Sequence, residues 1–324
     1  MIKPVALSMG IVSLLLAGAV GAAEFPTRPV SVIVPFAAGG PTDTMARLMA
    51  QQFQAVLKQT VVVENAPGAG GTVGVDKVAR ASPDGHTVLL MHIGMSTAPA
   101  LYRKLPFDPV KDFEPIGQVA DVPMTLITRS TLAPNNLKEL ISYLKVNRDK
   151  VSMANAGLGA ASHLCGLLFM STIGIDLTTV PYKGTGPAMN DLLGGQVDMM
   201  CDQTTNTVQQ IKAGKVKAIG ATSPKRLAQL PDVPTLAEQG LSGFELGVWH
   251  GLYAPRGTPK AALDRLNQAL NITIKDASFN ARLAEFGAVT VSPSLATPDG
   301  LRSHLISEIA KWGPIIKKAG IFAD

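Results

Sequence analysis

Aromatic residues make up only 5% of this 324-residue chain and charged residues only 16%, with two tryptophans and two cysteines. The basic residues are dispersed and no basic cluster is interleaved with aromatics, which argues against a nucleic-acid partner. Lys212, Lys215 and Lys217 group closely, and a solvated helix end accounts for them. The five histidines, His86, His92, His163, His250 and His304, lack the paired spacing of metal ligands. No metal and no cofactor are therefore expected. Beyond the first two dozen residues no apolar run approaches the roughly 20 needed to cross a membrane. Cys165 falls in an expected helix and Cys201 at a strand end. An oxidising compartment permits their pairing, but these positions do not lead one to expect it.

What is present begins with a leader. Lys3, an apolar stretch from Val5 to Val20 and the small residues Gly21, Ala22 and Ala23 form a secretory signal peptide over residues 1–23. The mature chain is expected to be soluble and periplasmic. Loss of Lys3 takes the 29 basic residues down by one against 24 acids, leaving a mild bias toward anions.

Residues Val30 to Asp43, VSVIVPFAAGGPTD, carry the strongest local signal. The β-branched run Val30, Val32, Ile33 and Val34 reads as a buried strand of a parallel sheet. From Met45 the period changes, and Met45, Leu48, Met49, Phe53, Val56 and Leu57 fall on one helical stripe. Between them, Ala37, Ala38, Gly39 and Gly40 have almost no side chain, and Pro41, Thr42 and Asp43 suit a helix start. Such a turn aims unpaired amides and the positive end of a helix at an anion.

About 300 mature residues in alternating strands and helices imply an α/β fold of two lobes. Strands at 30–35, 60–64 and 87–91 alternate with helices at 42–57 and 73–80. A second series holds strands at 123–128, 151–154, 177–181, 197–201 and 216–221. The last third offers an extended segment, 244–254, and helices at 259–274, 278–286 and 298–312, without a full sheet of their own. The chain is therefore expected to return to its first lobe, giving 24–121 plus 245–324 as one lobe and 122–244 as the other. Each lobe would be a mostly parallel sheet flanked by helices, with the ligand cleft between them.

Other strand ends supply wall candidates. Asn155 to His163 repeats the small-residue turn before a helix, with Gly157, Gly159, Ser162 and His163 facing the first turn. The same run approximates a dinucleotide fingerprint, but Ser162 replaces its third glycine. His92, Ser96 and Thr97 follow the third strand, and His92 is a possible donor to an acidic ligand. Tyr182, Lys183 and Gly184 follow another strand, and Asp202 ends the next. A hydrolase is a poor second reading: Ser162 and His163 are helix neighbours that point apart, and Cys201 has no obvious base.

Longer motifs tie these pieces together: RPVSVIVPFAAGGPTDTMAR, ENAPGAGGTVG, SPDGHTVL, NAGLGAASHL, VPYKGTGPAMNDLLGGQVD, IKAGKVKAIG, LPDVPTLAEQG and GLYAPRGTP. In these the chain resembles the extracytoplasmic receptors of the tripartite tricarboxylate transporters, the Bordetella uptake gene group. The resemblance implies a type II-like periplasmic binding fold that closes on a carboxylate, held by the PFAAGGPTD loop partly through ordered water. It also implies delivery to a membrane permease of a large and a small subunit. By position it carries Phe36, Ala37, Ala38, Gly39, Gly40, Thr42 and Asp43 into the ligand site. His92, Ser96, Thr97, Gly157, Gly159, Ser162, His163, Tyr182, Lys183, Gly184 and Asp202 carry over likewise. The expected ligand is a dicarboxylate, aliphatic or aromatic, bound without chemistry by a monomer. A sensor that shows its closed form to a signalling partner would have the same sequence features.

Overall fold

The computed structural model describes residues 25–318, 320, 322 and 323. The leader over residues 1–23 lies outside the described residues.

The first lobe follows the expected alternation through its third strand and then adds a helix that the periodicity did not suggest. Strands β1 (Val30–Val34), β2 (Val61–Asn65) and β3 (Thr87–His92) alternate with helices α1 (Pro41–Leu57), α2 (Thr72–Ala79) and α3 (Gly94–Leu101). β1 pairs in parallel with both β2 and β3. Met45, Met49 and Phe53 of α1 are fully buried, as the helical stripe requires.

A single long strand, β4 (Phe113–Arg129), then leaves this lobe and enters the next. The central lobe comprises α4 (Leu137–Asn147), β5 (Ser152–Asn155), α5 (Ala161–Ile173), β6 (Thr178–Pro181), α6 (Thr185–Leu193), β7 (Met199–Gln203), α7 (Thr204–Lys212) and β8 (Val216–Ala221). β9 (Gly247–Pro255) returns to the first sheet, followed by α8 (Lys260–Lys275), α9 (Ala277–Glu285), β10 (Val289–Thr290) and α10 (Pro298–Lys318).

The strands form one continuous path, β2-β1-β3-β9-β4-β7-β5-β6, with β8 and β10 also paired to β4. The first half of β4, from Phe113 to Pro123, pairs with β9; Met124 onward pairs with β7 and β8. The sheets are less parallel than expected. β1–β3 and β5–β7 form parallel sets, but every pairing made by β4 and β9 is antiparallel. Strands that cross between lobes arrive from the opposite end of the sheet, so they run against the strands they join.

Cys165 and Cys201 form a disulfide, Cα to Cα 6.0 Å, which corrects the expectation from their elements. β5 and β7 are parallel neighbours, and the helix leaving β5 lies over β7. That brings a helical and a strand cysteine within the separation a disulfide spans.

Candidate ligand-binding cleft

Four helix starts converge on one narrow space between the lobes. They are Gly40–Thr42 at α1, Ala161–Ser162 at α5, Thr185 at α6 and Gln203 at α7. Phe36, His92, Ala156 and Asp202 complete the wall. The space amounts to about 290 Å³ when its solvent-open mouth is included, and is tightly closed within. First-turn amides have no partner inside their own helix, and the helix dipoles add positive potential. Among the described residues no lysine or arginine lines the wall, so the attraction these residues offer an anion comes from backbone and neutral side chains.

The α1 turn is held from behind. Asp43, 3% exposed, accepts hydrogen bonds from the Gly39 amide at 3.0 Å, Arg47 Nε at 2.9 Å and Asn65 Nδ2 at 2.9 Å. Asn65 Nδ2 also donates to the Phe36 carbonyl at 3.0 Å. Burial pushes the Asp43 carboxyl up, but bonds from Arg47, Gly39 and Asn65 outweigh it and hold it below the usual range. Its oxygens serve the loop.

His92 stacks on Phe36, with ring centroids 4.7 Å apart, and meets His250 edge-on at 5.9 Å. Burial, reinforced by His250, lowers it to about 3. Its Nδ1 accepts the Gly94 amide at 3.0 Å, which assigns the ring proton to Nε2. His92 is thus a neutral donor. Ser162 Oγ accepts the Ala156 amide at 2.7 Å, leaving its own proton to donate. His163 Nδ1 accepts the Gly159 amide at 3.1 Å and, lowered to about 4 by burial, is neutral too.

Among the described residues, Asp202 is the one carboxylic acid on the wall. Burial raises it to about 7, against opposing hydrogen bonds from Asn206, the Gln203 amide and Thr185. Beside it, the Gln203 side-chain Oε1 is sealed from solvent without a hydrogen-bond partner.

Two seams close the lobes around this space. The Ala37 amide donates to the Lys183 carbonyl at 2.8 Å, and a Cβ at Gly186 would lie 2.8 Å from the Ala38 carbonyl. On the other side, a Cβ at Gly70 would stand 1.7 Å from the Leu158 carbonyl. Tyr102 bridges that seam, its hydroxyl 2.7 Å from the carbonyls of both Ala69 and Leu158. These contacts require the lobes to be together.

Of the residues singled out in sequence, Phe36, Gly40, Thr42, His92, Ser162 and Asp202 line the space. Asp43 and His163 stand behind it as braces. Ala37, Gly157, Gly159 and Gly184 form the seams, whereas Ala38 and Gly39 are exposed. Ser96 Oγ donates to the Ile93 carbonyl at 2.7 Å, and Thr97 Oγ1 is near the carbonyls of Gly94 and Gly159. Tyr182 donates to Asp191 at 2.6 Å and is raised to about 12 by burial and that carboxylate. Lys183 is exposed and offers its carbonyl to Ala37. None of these last four lines the space. Pro41 and Ala161, within the two small-residue turns, also line it, and Ala156, Thr185 and Gln203 do so without having been singled out. The signal for Thr185 was present: it directly follows a glycine in a strand-to-helix turn, as Gly40 precedes Pro41.

Helix starts facing one another across a closable slot are an arrangement for holding a small anion. A sequence model for the tripartite tricarboxylate transporter family receptor matches residues 45–321. The chain belongs to this receptor family. A curated relative from Agrobacterium vitis, named for the TAR-I ttuE-ttuC' intergenic region, is 46% identical to this receptor, covering 92% of it and 86% of the relative. The solved periplasmic binding protein BugD is 54% identical with a TM-score of 0.90, covering 92% of this receptor and 99% of BugD. MatC from Rhodopseudomonas palustris, solved with bound malate, is 42% identical with a TM-score of 0.87, covering 90% of this receptor and 100% of MatC. The two-lobed fold of the receptor is that of these binding proteins.

Proposed function

We propose that this receptor captures a small dicarboxylate in the periplasm and delivers it to a membrane permease of the tripartite type. The observation that carries the reading is the convergence of four helix starts on a slot that no cationic side chain lines among the described residues. Amides there replace the hydration of a carboxylate. Gly40, Thr42 and Ser162 are assigned to one carboxylate, and His92, through Nε2, to the second. Membership of a receptor family with a malate-bound relative supports the ligand class.

The lobes are taken as residues 24–121 plus 245–324 and 122–244, rotating about the β4 crossing and the segment entering β9. One chain supplies the whole wall, which supports a monomer as the working unit. A hydrolase reading finds no support in the geometry. Ser162 is engaged with Ala156, His163 with Gly159, and Cys201 with Cys165.

Thermal unfolding of the mature protein against mono-, di- and tricarboxylates tests this. A ligand at about 100 times its Kd adds about 2.7 kcal/mol, several degrees in Tm. A shift with diacids, with the acid recovered unchanged, is the expected result; no shift with any carboxylate would sink it.

A further inference from the structure

Asp202 is an unusual residue to find in an anion slot. It ends β7, is 1% exposed and lines the space into which the helix starts point. Its Oδ2 accepts from Asn206 Nδ2 at 2.7 Å, an amide that also reaches the Thr185 carbonyl at 3.4 Å. Its neighbour across the sheet in β4 is Thr125, whose hydroxyl is paired with Thr207 at 2.7 Å. No lysine or arginine forms an ion pair with it among the described residues.

The other titratable groups around the slot do not supply a counter-charge. His92 at the end of β3 and His163 in α5 are neutral. Asp43 in α1 is committed to Arg47 at 2.9 Å. In α6, Asp191 is bound by Tyr182. A dianion entering the closed slot therefore meets a buried carboxylate held only by neutral donors, Asn206, the Gln203 amide and Thr185, with no cationic side chain against it. Two carboxylates in one dry site do not both stay ionised. The smallest available remedy is a proton, and a protonated carboxyl donates a strong O–H to a carboxylate acceptor.

We propose that Asp202 is protonated in the ligand-bound receptor and donates that proton as a hydrogen bond to the ligand, so each dicarboxylate dianion is captured together with one proton. The proton comes from solvent, joins an Asp202 oxygen and stays there; no covalent bond to the ligand forms. The inference rests on the carboxylate reading above. Burial already raises the carboxyl to about 7 before any ligand arrives, so uptake is largest above that pH.

The test is titration calorimetry of the mature receptor with succinate and with malate, in Bicine and in Tris, at pH 8 and pH 9. Two buffers of different protonation enthalpy count the protons exchanged. About one proton taken up per ligand, and a Kd that weakens about tenfold over that pH unit, is the expected result. In Asp202→Asn both the proton uptake and the pH slope should vanish, with folding checked by Tm. Binding of either diacid with no proton uptake by the wild type would overturn the inference while leaving the carboxylate reading intact. Failure of both diacids to bind would remove both readings.

Discussion

The Tyr102 hydroxyl stands 2.7 Å from the main-chain carbonyl of Leu158, on the opposite side of the seam between the lobes. It is equally close to the Ala69 carbonyl on its own side, so one phenolic proton can serve either wall. That makes it a latch with a resting partner. Tyr102→Phe should leave the ligand-free Tm nearly unchanged and weaken ligand binding by about 0.5–1.5 kcal/mol, the net worth of one hydrogen bond. Calorimetry on both proteins measures this, and equal affinities would show that the latch contributes nothing to closure.

Gly186 sets the closing distance. A Cβ there would lie 2.8 Å from the Ala38 carbonyl and 3.1 Å from the Gly40 amide nitrogen. Gly186→Ala should cost affinity by about tenfold or more, because the clash exists only when the lobes meet. The ligand-free protein should be as stable as the parent or up to about 1 kcal/mol more so, since alanine suits α6 better. A lowered ligand-free Tm would point to a fold defect instead.

The brace behind the first turn is testable separately. Asp43→Asn removes the charge that Gly39, Arg47 and Asn65 share, and should cost about 1.5–3 kcal/mol, read by denaturant unfolding. Because its folded pKa is depressed, the contribution of Asp43 is present above the unfolded carboxylate value and disappears as pH falls through the folded one. The variant should therefore lose stability at neutral pH and converge on the parent in acid.

Acid should also act through the buried histidines. Burial lowers His92 to about 3, and His163 and His250 to about 4, whereas in the unfolded chain they titrate near about 6.5. Below that value the unfolded chain binds protons that the folded one does not. Stability is then complete above about 6.5 and drains as pH falls, by up to about 1.4 kcal/mol per pH unit for each histidine. Asp202 works the other way, since its raised carboxyl takes a proton earlier in the folded state and offsets one histidine between about 7 and 4. Scanning calorimetry should give a lower Tm at pH 5 than at pH 7.5, and His250→Leu should flatten that difference.

The disulfide joins α5, which carries Ser162, to β7, which runs on to Asp202 and Gln203. Reduction or Cys165→Ala/Cys201→Ala should lower stability by about 2–4 kcal/mol and loosen both sides of the slot. Unfolding with and without reductant checks the first effect, and ligand titration of the reduced protein checks the second.

Much of this was legible in the chain because burial imposes a period. The run from Val30 to Val34 and the stripe from Met45 to Leu57 gave β1 and α1 nearly to the residue. The first half of β4 was not legible. Pro115, Gly117 and Pro123 interrupt it, and its pairing with β9 shifts register at Pro115/Gly117 and Gln118/Ala120. Its order comes from a partner strand more than a hundred residues later. α3 was missed because Gly94, Ser96, Thr97 and Pro99 are weak helix formers. At the site, backbone turns were readable from small residues, but where a hydroxyl points was not. Ser96, Thr97 and Tyr182 spend theirs locally, and Gln203 enters the slot only because β7 ends beside the start of α7.

The sharing of β4 between both sheets has a consequence for the order of assembly. By the time the chain has been made to Ala221, every strand paired with the second half of β4 exists. The first half waits for Gly247–Pro255, which must slide between β3 and β4 and pair with both. The lobe that begins the sequence is thus the last to be completed, and a nascent chain stalled before β9 would hold a finished central lobe beside a first sheet with a missing middle strand.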